Sequence, residues 1–180
     1  MKLSIIIPTI SRPSLARTLG SIRPQIFCDD EVLLVGDGPQ PAAAATFAAS
    51  GVPGRYVEGP ATKWWGNAQR MHGMRLARGD LLAFMDDDDI YLAGAFAAMR
   101  GADPRAVNVF RMQHPRRLLW QRRQLAHGNV SSQMLVVPND PAILGQWGNR
   151  RAGDYDFALA TAIKLCRVEF HETIICQCRP

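Results

Sequence analysis

Short apolar runs alternate with helix-forming segments through the first hundred residues of the chain. Apolar, β-branched runs of about 4–8 residues are typical of buried strands, and strands that alternate with helices form parallel sheets. The alternation therefore predicts an α/β fold with a mostly parallel central sheet and helices on both faces. The predicted strands are 3–8, 31–36, 55–58 and 81–85, and the predicted helices are 11–22, 41–50, 66–77 and 92–100.

The pattern becomes less regular after residue 100. It predicts a helix near the end of the chain, between strands that would complete the sheet in mixed orientation. These strands are 107–112, 133–138 and 168–176, and the helix is 154–166. We expect a single domain over residues 1–180, a length that buries a substantial core.

The composition is that of an ordinary globular protein, with 47% hydrophobic and 21% charged residues. No apolar run approaches the roughly 18 residues that a membrane-spanning helix needs, and the first apolar run is too short for a signal peptide. The four cysteines contain no Cys-x-x-Cys pair, which predicts reduced thiols and no zinc site. We therefore expect a cytoplasmic protein. The net charge of +5, mostly from arginine, indicates an anionic partner.

Four consecutive aspartates directly follow the fourth predicted strand. Adjacent carboxylates repel one another unless a cation or solvent relieves the repulsion. Ligands of open α/β sheets bind outside the carboxyl ends of the strands, and Mg²⁺ or Mn²⁺ commonly joins carboxylate to phosphate. If the strand continued through the cluster, Asp86 and Asp88 would lie on one side and Asp87 and Asp89 on the other. The pattern predicts a divalent metal at Asp86 and Asp88.

The same cluster has other interpretations. A solvated acidic turn that caps the next helix would also tolerate negative charge. An Asp-x-Asp phosphatase would carry its aspartates after the first strand, where this chain has Pro8 and Thr9. The sequence contains neither Gly-x-Gly-x-x-Gly nor a phosphate-binding loop that ends in Gly-Lys-Ser/Thr, so these nucleotide-binding motifs are excluded.

The order of these motifs resembles that of glycosyltransferase family 2, whose members have the GT-A fold. Ser4–Thr9 with Arg12, and then Glu31–Gly38, are similar to the family's first two strands and their turns. Gly66–Asp89 is similar to its central helix, strand and Asp-x-Asp motif. Gly153–Phe157 resembles the segment that carries its catalytic base. The resemblance covers most of the chain in the expected order.

The resemblance implies a metal-dependent, inverting glycosyltransferase that moves one sugar from a nucleotide-diphosphate sugar to an acceptor hydroxyl. Residues 1–100 would bind the nucleotide sugar, and residues 101–180 would hold the acceptor and the base. Asp154 would be the base, with Asp156 as the alternative. The implied ligands of Mn²⁺ or Mg²⁺ are Asp86, Asp88 and His171. The implied nucleotide-binding residues are Pro8, Thr9, Arg12, Asp37, Arg70, Asp86 and Asp87.

The chain also departs from the family pattern. Gly153 stands where the family often has Glu, and Met71 stands where it often has Asn. The Gln-x-x-Arg-Trp motif of processive synthases is absent, so we expect transfer of a single hexose-like sugar. Two other functions stay open: a nucleotidyltransferase, although 11–14 is not the glycine-rich loop of that class, and a non-catalytic GT-A module that binds an anionic partner.

The two substrates are predicted separately. The resemblance favours a UDP- or TDP-type donor whose base contacts Asp37, and Trp64 or Trp65 could shape the sugar pocket. Clustered arginines with an aromatic residue can bind a polyanion, which predicts a phosphate-bearing lipid, an anionic polysaccharide or a nucleic acid as acceptor. The alternative is a solvated basic hairpin. The residues of this cluster are Arg111, His114, Arg116, Arg117, Trp120, Arg122 and Arg123.

Overall fold

Nine strands and five helices make up the computed structural model, which describes residues 1–180. The strands are β1 (Leu3–Thr9), β2 (Glu31–Asp37), β3 (Gly54–Gly59), β4 (Leu81–Phe84), β5 (Ile90–Tyr91), β6 (Val107–His114), β7 (Arg117–Leu119), β8 (Leu135–Pro138) and β9 (Val168–Gln177). The helices are α1 (Leu15–Ile22), α2 (Pro41–Ser50), α3 (Asn67–Leu76), α4 (Ala95–Arg100) and α5 (Gly153–Leu165), and a 3₁₀ turn covers Ser132–Met134. Every predicted element is present. The two additional strands, β5 and β7, are too short to stand out as apolar runs.

The strands form one sheet in the order β3-β2-β1-β4-β8-β6-β9-β5, and β7 forms a hairpin with β6. The first four strands of this order are parallel to one another, as predicted. The sheet becomes mixed where β8 pairs antiparallel with both β4 and β6, whereas β6 and β9 are parallel. The second half of the chain therefore completes a sheet that the first half begins. None of the helices is both long enough and apolar enough to cross a membrane.

The central strands are buried on both faces because helices cover both sides of the sheet. Successive residues of β1 such as Ile5 and Ile6 point to opposite faces, and both are fully buried. Helix α3 packs closely against β1 and β2 at Gly73, where an added Cβ would lie 2.6 Å from Ile6 Cγ2. This close approach explains a glycine inside a helix, where it costs about 1 kcal/mol relative to alanine.

The aromatic core joins the two halves of the chain directly beneath the acidic turn. The Phe84 ring lies edge-to-face with the rings of Trp147 and Phe157, at centroid distances of 5.1 and 5.5 Å. Phe84 ends β4, and Phe157 lies in the first turns of α5. This packing brings the start of α5 beside the carboxyl end of β4.

Helix α1 begins later than the sequence predicts. Ser11 adopts a left-handed conformation with φ of 61°, and its backbone N–H donates to Thr9 Oγ1 at 3.0 Å. The chain therefore makes a turn after β1, and the helix starts only at Leu15. This turn forms one wall of the site described next.

Candidate active site

A cleft with a volume of about 960 Å³ opens at the carboxyl ends of β1, β2 and β4. Its size lies within the range of small-molecule sites, and its position is where open α/β sheets bind ligands. The residues predicted to bind the nucleotide and the metal, and Asp154, all line this cleft except His171. Those that line it are Pro8, Thr9, Arg12, Asp37, Arg70, Asp86, Asp87, Asp88 and Asp154.

Three carboxylates gather in the cleft. Asp86, Asp88 and Asp89 each contribute an oxygen, and these three oxygens lie within 4.8 Å of one another. Asp89 joins the other two because β4 ends at Phe84 and the chain then turns, so that the Asp89 N–H donates to the Asp86 carbonyl at 3.3 Å. Strand alternation, which would separate Asp89 from Asp86, does not apply here. A set of carboxylate oxygens suits a hard divalent cation such as Mg²⁺ or Mn²⁺.

The electrostatics of the cluster also suit a cation. Burial and then the charge of Asp86 raise the pKa of Asp89 to about 6. The pKa of Asp86 is raised as well, because burial outweighs the opposing charge of Arg70. A bound cation would favour the ionised form of both carboxylates and release their protons.

Gln133 lies beneath the cluster and was not predicted from the sequence. Its side chain is 4% exposed, and its Nε2 donates to Asp86 Oδ2 at 2.8 Å and to Asp89 Oδ2 at 2.5 Å. Its Oε1 in turn accepts from the hydroxyls of Ser131 and Ser132. The amide therefore fixes two of the three carboxylates. The only sequence feature that could have indicated this role of Gln133 is its position, as a polar residue at the start of an apolar run.

Asp87 is not part of the cluster of three carboxylates. Its Oδ2 accepts from Thr9 Oγ1 at 2.8 Å and from the Ile10 N–H at 3.2 Å, and its Oδ1 pairs with the Arg12 guanidinium. Both carboxylate oxygens are thus used to fix the turn after β1, and the side chain is almost fully buried. Asp87 therefore supports this turn, and because it also lines the cleft its role as a nucleotide contact stays a prediction.

Arg70 provides a buried positive charge beside the cluster. Its guanidinium pairs with Asp86 and also donates to the Trp65 carbonyl at 3.0 Å and to Ser132 Oγ at 3.2 Å. The indole ring of Trp147 lies 5.0 Å from the guanidinium carbon. Arg70 therefore holds Asp86 in place and balances part of the negative charge.

Asp37, at the end of β2, organises a neighbouring loop. Its carboxylate accepts the backbone N–H of Thr62 at 2.7 Å and that of Lys63 at 3.0 Å. The same loop holds Trp65 at the cleft with 60% of its surface exposed, whereas Trp64 is half-buried. Trp65 is therefore the tryptophan available to a ligand.

Asp154 and Asp156, the two candidates for a base, have different surroundings. Asp154 lines the cleft, and burial raises its pKa although the Tyr155 N–H and the charge of Arg70 oppose the rise. Asp156 forms an ion pair with Arg150, and this hydrogen bond lowers its pKa. Asp156 does not line the cleft. Of the two carboxyls, Asp154 has the position and the proton affinity of a base.

The structure does not bring His171 to the aspartates. Its Nε2 lies 2.9 Å from Asn108 Oδ1, and its ring stacks on Phe110 at a centroid distance of 4.3 Å. Strand β9 ends at Gln177, and only the residues after it reach the cleft, where the Arg179 N–H donates to Asp89 Oδ1 at 2.9 Å. His171 is therefore several residues too early on β9 to be a ligand of this cluster, and Asp89 takes the third place.

The arginine cluster divides into two groups. Arg111 and Arg123 both pair with Glu172, at 2.8 and 2.9 Å. Trp120 is 3% exposed, and its Nε1 donates to the Val109 carbonyl at 3.1 Å. This indole belongs to the core, which corrects its predicted role in stacking on an acceptor.

The rest of the cluster faces outward. Arg116 and Arg122 are exposed, and Arg117 lines the cleft while donating to the Gly128 carbonyl at 3.0 Å. His114 lines the cleft beside them. Arg117 is therefore at the cleft, whereas Arg116, in the turn before β7, and Arg122, shortly after β7, are exposed residues that do not line it.

The fold is that of solved glycosyltransferase structures. TarS from S. aureus superposes with a TM-score of 0.77 at 16% identity, over 100% of this chain and 37% of that chain. TarS 1–349 in complex with UDP-GlcNAc gives 0.74 at 17%, over 98% and 58%. The mannosyltransferase PcManGT from Pyrobaculum calidifontis, in complex with GDP-Man and Mn²⁺, gives 0.73 at 17%, over 99% and 56%. The predicted GT-A type of α/β fold is confirmed.

The sequence comparisons place the chain in a family. The chain spans between 37% and 60% of the length of the solved structures that it resembles. No curated protein matches it in sequence. The sequence model of glycosyl transferase family 2 matches residues 4–123, which is more than half of the 180 residues and includes the acidic turn. The chain belongs to glycosyl transferase family 2.

Proposed function

We propose that this protein transfers a single sugar from a nucleotide-diphosphate sugar to an acceptor hydroxyl, with inversion at the anomeric carbon and with Mn²⁺ or Mg²⁺ bound to the aspartates. One observation carries the proposal. A cluster of three carboxylates and a separate, partly buried carboxyl, Asp154, line the same cleft of a family 2 glycosyltransferase fold. The complexes of similar folds with UDP-GlcNAc and with GDP-Man and Mn²⁺ support the class of donor.

The donor would occupy the part of the cleft formed by residues 1–100. Oxygens of Asp86, Asp88 and Asp89 fit a divalent ion, which when bound would neutralise charge that develops on the leaving nucleoside diphosphate. The guanidinium of Arg12 is 43% exposed and lies at this part of the cleft. It is available to a diphosphate oxygen while it remains paired with Asp87.

The acceptor would enter from the part formed by residues 101–180. Asp154 would accept the proton of the acceptor hydroxyl as the hydroxyl oxygen bonds to the anomeric carbon. The bond from that carbon to the diphosphate oxygen breaks on the opposite face, and the electron pair leaves with the nucleoside diphosphate. A single displacement of this kind inverts the anomeric configuration. The raised pKa of Asp154 favours proton acceptance.

We expect UDP or TDP to stabilise the protein more than GDP or ADP, because Asp37 lies at the cleft where a uracil or thymine N–H could donate to it. The measurement is thermal unfolding with each nucleotide in the presence of Mn²⁺ and then of chelator. At about 100 times its Kd the preferred nucleotide raises Tm by about 5–10 °C. A larger shift with GDP would give Asp37 a purely structural role in the loop after β3.

The same panel tests the enzyme class. Slow, metal-dependent release of free sugar from the preferred nucleotide sugar is expected of a transferase that uses water in place of its acceptor. A module that only binds the nucleotide would show the thermal shift without release of sugar. Release of pyrophosphate from a nucleoside triphosphate would indicate a nucleotidyltransferase instead.

We expect an acceptor that carries phosphate, because Arg117 lines the cleft and two further exposed arginines, Arg116 and Arg122, are close to it along the chain. Binding of a short polyphosphate probe then weakens steeply between about 50 and 200 mM salt. Replacement of these three arginines by serine weakens binding of the probe further and leaves donor hydrolysis unchanged.

A charge-matched control separates this contact from net charge. Arg17, Arg23 and Arg75 are exposed and do not line the cleft, so their replacement by serine removes the same charge elsewhere. Equal losses in the two triple variants, or binding that is indifferent to salt, would show that Arg116, Arg117 and Arg122 are ordinary surface residues.

A further inference from the structure

A buried amide joins the acidic cluster to the segment that leads to Asp154. Asn67 begins α3 and is 3% exposed. Its Nδ2 donates to the carbonyl of Gly148 at 2.8 Å and to that of Arg150 at 2.9 Å. Both protons of the amide are therefore used to hold the irregular segment 148–152 against α3.

The other end of the amide contacts the arginine beside the cluster. Asn67 Oδ1 accepts from Arg70 at 3.2 Å, and Arg70 in turn pairs with Asp86. A continuous chain of polar contacts thus runs from the acidic cluster through Arg70 and Asn67 to residues 148–150. Three residues after Arg150, the Gly153 N–H donates to the Arg150 carbonyl at 3.1 Å, and α5 begins.

Gly153 leaves room for this amide. A Cβ added at Gly153 would lie 2.5 Å from Asn67 Nδ2 and 3.2 Å from the Gly148 carbonyl oxygen. Any larger residue at this position would push the amide away from the two carbonyls that it holds. The glycine therefore has a steric cause in this chain, and the next residue is Asp154.

We propose that Asn67 is a positioning residue, which sets the separation between the carboxyl of Asp154 and the acidic cluster, and that Gly153 is a glycine because Asn67 occupies the space of its side chain. The inference rests on the proposed role of Asp154 as the base. It adds that the base and the donor site are placed relative to each other by one amide on α3.

The steric part is tested by thermal unfolding, which needs no activity. Gly153→Ala lowers Tm by about 3–8 °C, because a buried amide loses its hydrogen bonds. In the Asn67→Ala background the clash is absent, and the same Gly153→Ala change is neutral or raises Tm, since alanine is the better helix former. Additive losses in the double variant would overturn the proposed contact.

The positioning part is tested by donor hydrolysis with the preferred nucleotide sugar. Asn67→Ala lowers kcat by about 10–100-fold, because small displacements of a reacting group have effects of this size, while the donor KM stays within about twofold. The acid limb of the pH profile also moves to lower pH, because Asp154 becomes less buried when segment 148–152 is released.

Asn139→Ala is the matched control. The Asn139 amide likewise bridges two carbonyls, those of Ala77 and Gly79 at 3.2 and 2.9 Å, but it does not line the cleft. We expect a similar loss of Tm from this variant with kcat and the pH profile unchanged.

If Asn67→Ala raises the donor KM instead, or changes kcat without moving the acid limb, Asn67 does not position the base. If Asp154→Asn keeps full turnover, the proposed base is wrong, and the Tm measurements still decide the contact between Asn67 and Gly153.

Discussion

We expect Asp154→Asn to lower turnover by about 10²–10⁴-fold, because asparagine cannot accept the proton of the acceptor hydroxyl and base catalysis typically contributes an acceleration of this size. Binding of the donor nucleotide stays unchanged, since the amide fills the same space and the acidic cluster is untouched. The measurements are kcat for sugar transfer or donor hydrolysis and calorimetric titration with the nucleotide in Mn²⁺.

The same residue gives the activity a pH dependence of known sign. A base must be ionised to act, and burial raises the pKa of Asp154 above its ordinary value of 3.8. Turnover therefore falls as pH decreases through this raised pKa, and it reaches a plateau above it. The acid limb lies at higher pH than that of an exposed aspartate.

Asp156→Asn is the matched control for this prediction. It removes a carboxyl from the same helix, and its ion pair with Arg150 is at the surface. We expect normal turnover and little change in stability, because exposed ion pairs contribute only about 0–1 kcal/mol. Near-normal turnover in Asp154→Asn, or a product that retains the anomeric configuration, would refute the proposed mechanism.

The second large effect is expected at the acidic cluster. Asp88→Asn weakens Mn²⁺-dependent binding of the nucleotide by at least about 10²-fold, because it removes a proposed oxygen ligand of the metal. Residues that only hydrogen-bond to metal ligands already contribute about 10–100-fold in metal affinity, so the loss of a ligand itself has at least this effect. Asp88 is a cleaner choice than Asp86, whose loss would leave the buried guanidinium of Arg70 without its ion pair.

Calorimetry with Mn²⁺ and then with chelator measures this effect. In the unchanged protein, chelator abolishes most of the affinity; in Asp88→Asn, the two conditions give nearly the same weak binding. Asp29→Asn is the control, since Asp29 is exposed and does not line the cleft. Equal nucleotide affinity with Mn²⁺ and with chelator in the unchanged protein contradicts a metal site at these aspartates.

The sequence predicts those parts of the site that depend on local pattern. The apolar run 81–85 places the aspartates at the end of a buried strand, and the resemblance of residues 153–157 to the family's late motif indicates Asp154 as the candidate base. The position of the aspartates follows from the general rule that open α/β sheets bind ligands outside the carboxyl ends of their strands. The order of elements was predictable because apolar runs alternate with helix-forming segments.

The rest of the site depends on contacts between distant parts of the chain. Gln133 reaches Asp86 because β8 pairs antiparallel with β4, and no periodicity in the sequence fixes that pairing. The sequence did not show that Asp89 joins Asp86 and Asp88 while His171 lies apart from them, because the register of β9 and the turn after β4 were unknown. Trp120 was assigned to the surface because a tryptophan among arginines gives no indication of which face of the hairpin it occupies.

The pairing of β4 has a consequence for how the protein is made. All four residues of β4 are buried, and its outer edge is covered only by β8, which begins at Leu135. During synthesis, the part of the chain that contains the acidic turn leaves the ribosome with an apolar strand whose edge is unpaired. Unpaired edges of this kind recruit strands from other chains, so the nascent protein is open to aggregation until about fifty further residues have emerged. The two halves of the cleft are for this reason unsuited to expression as separate fragments.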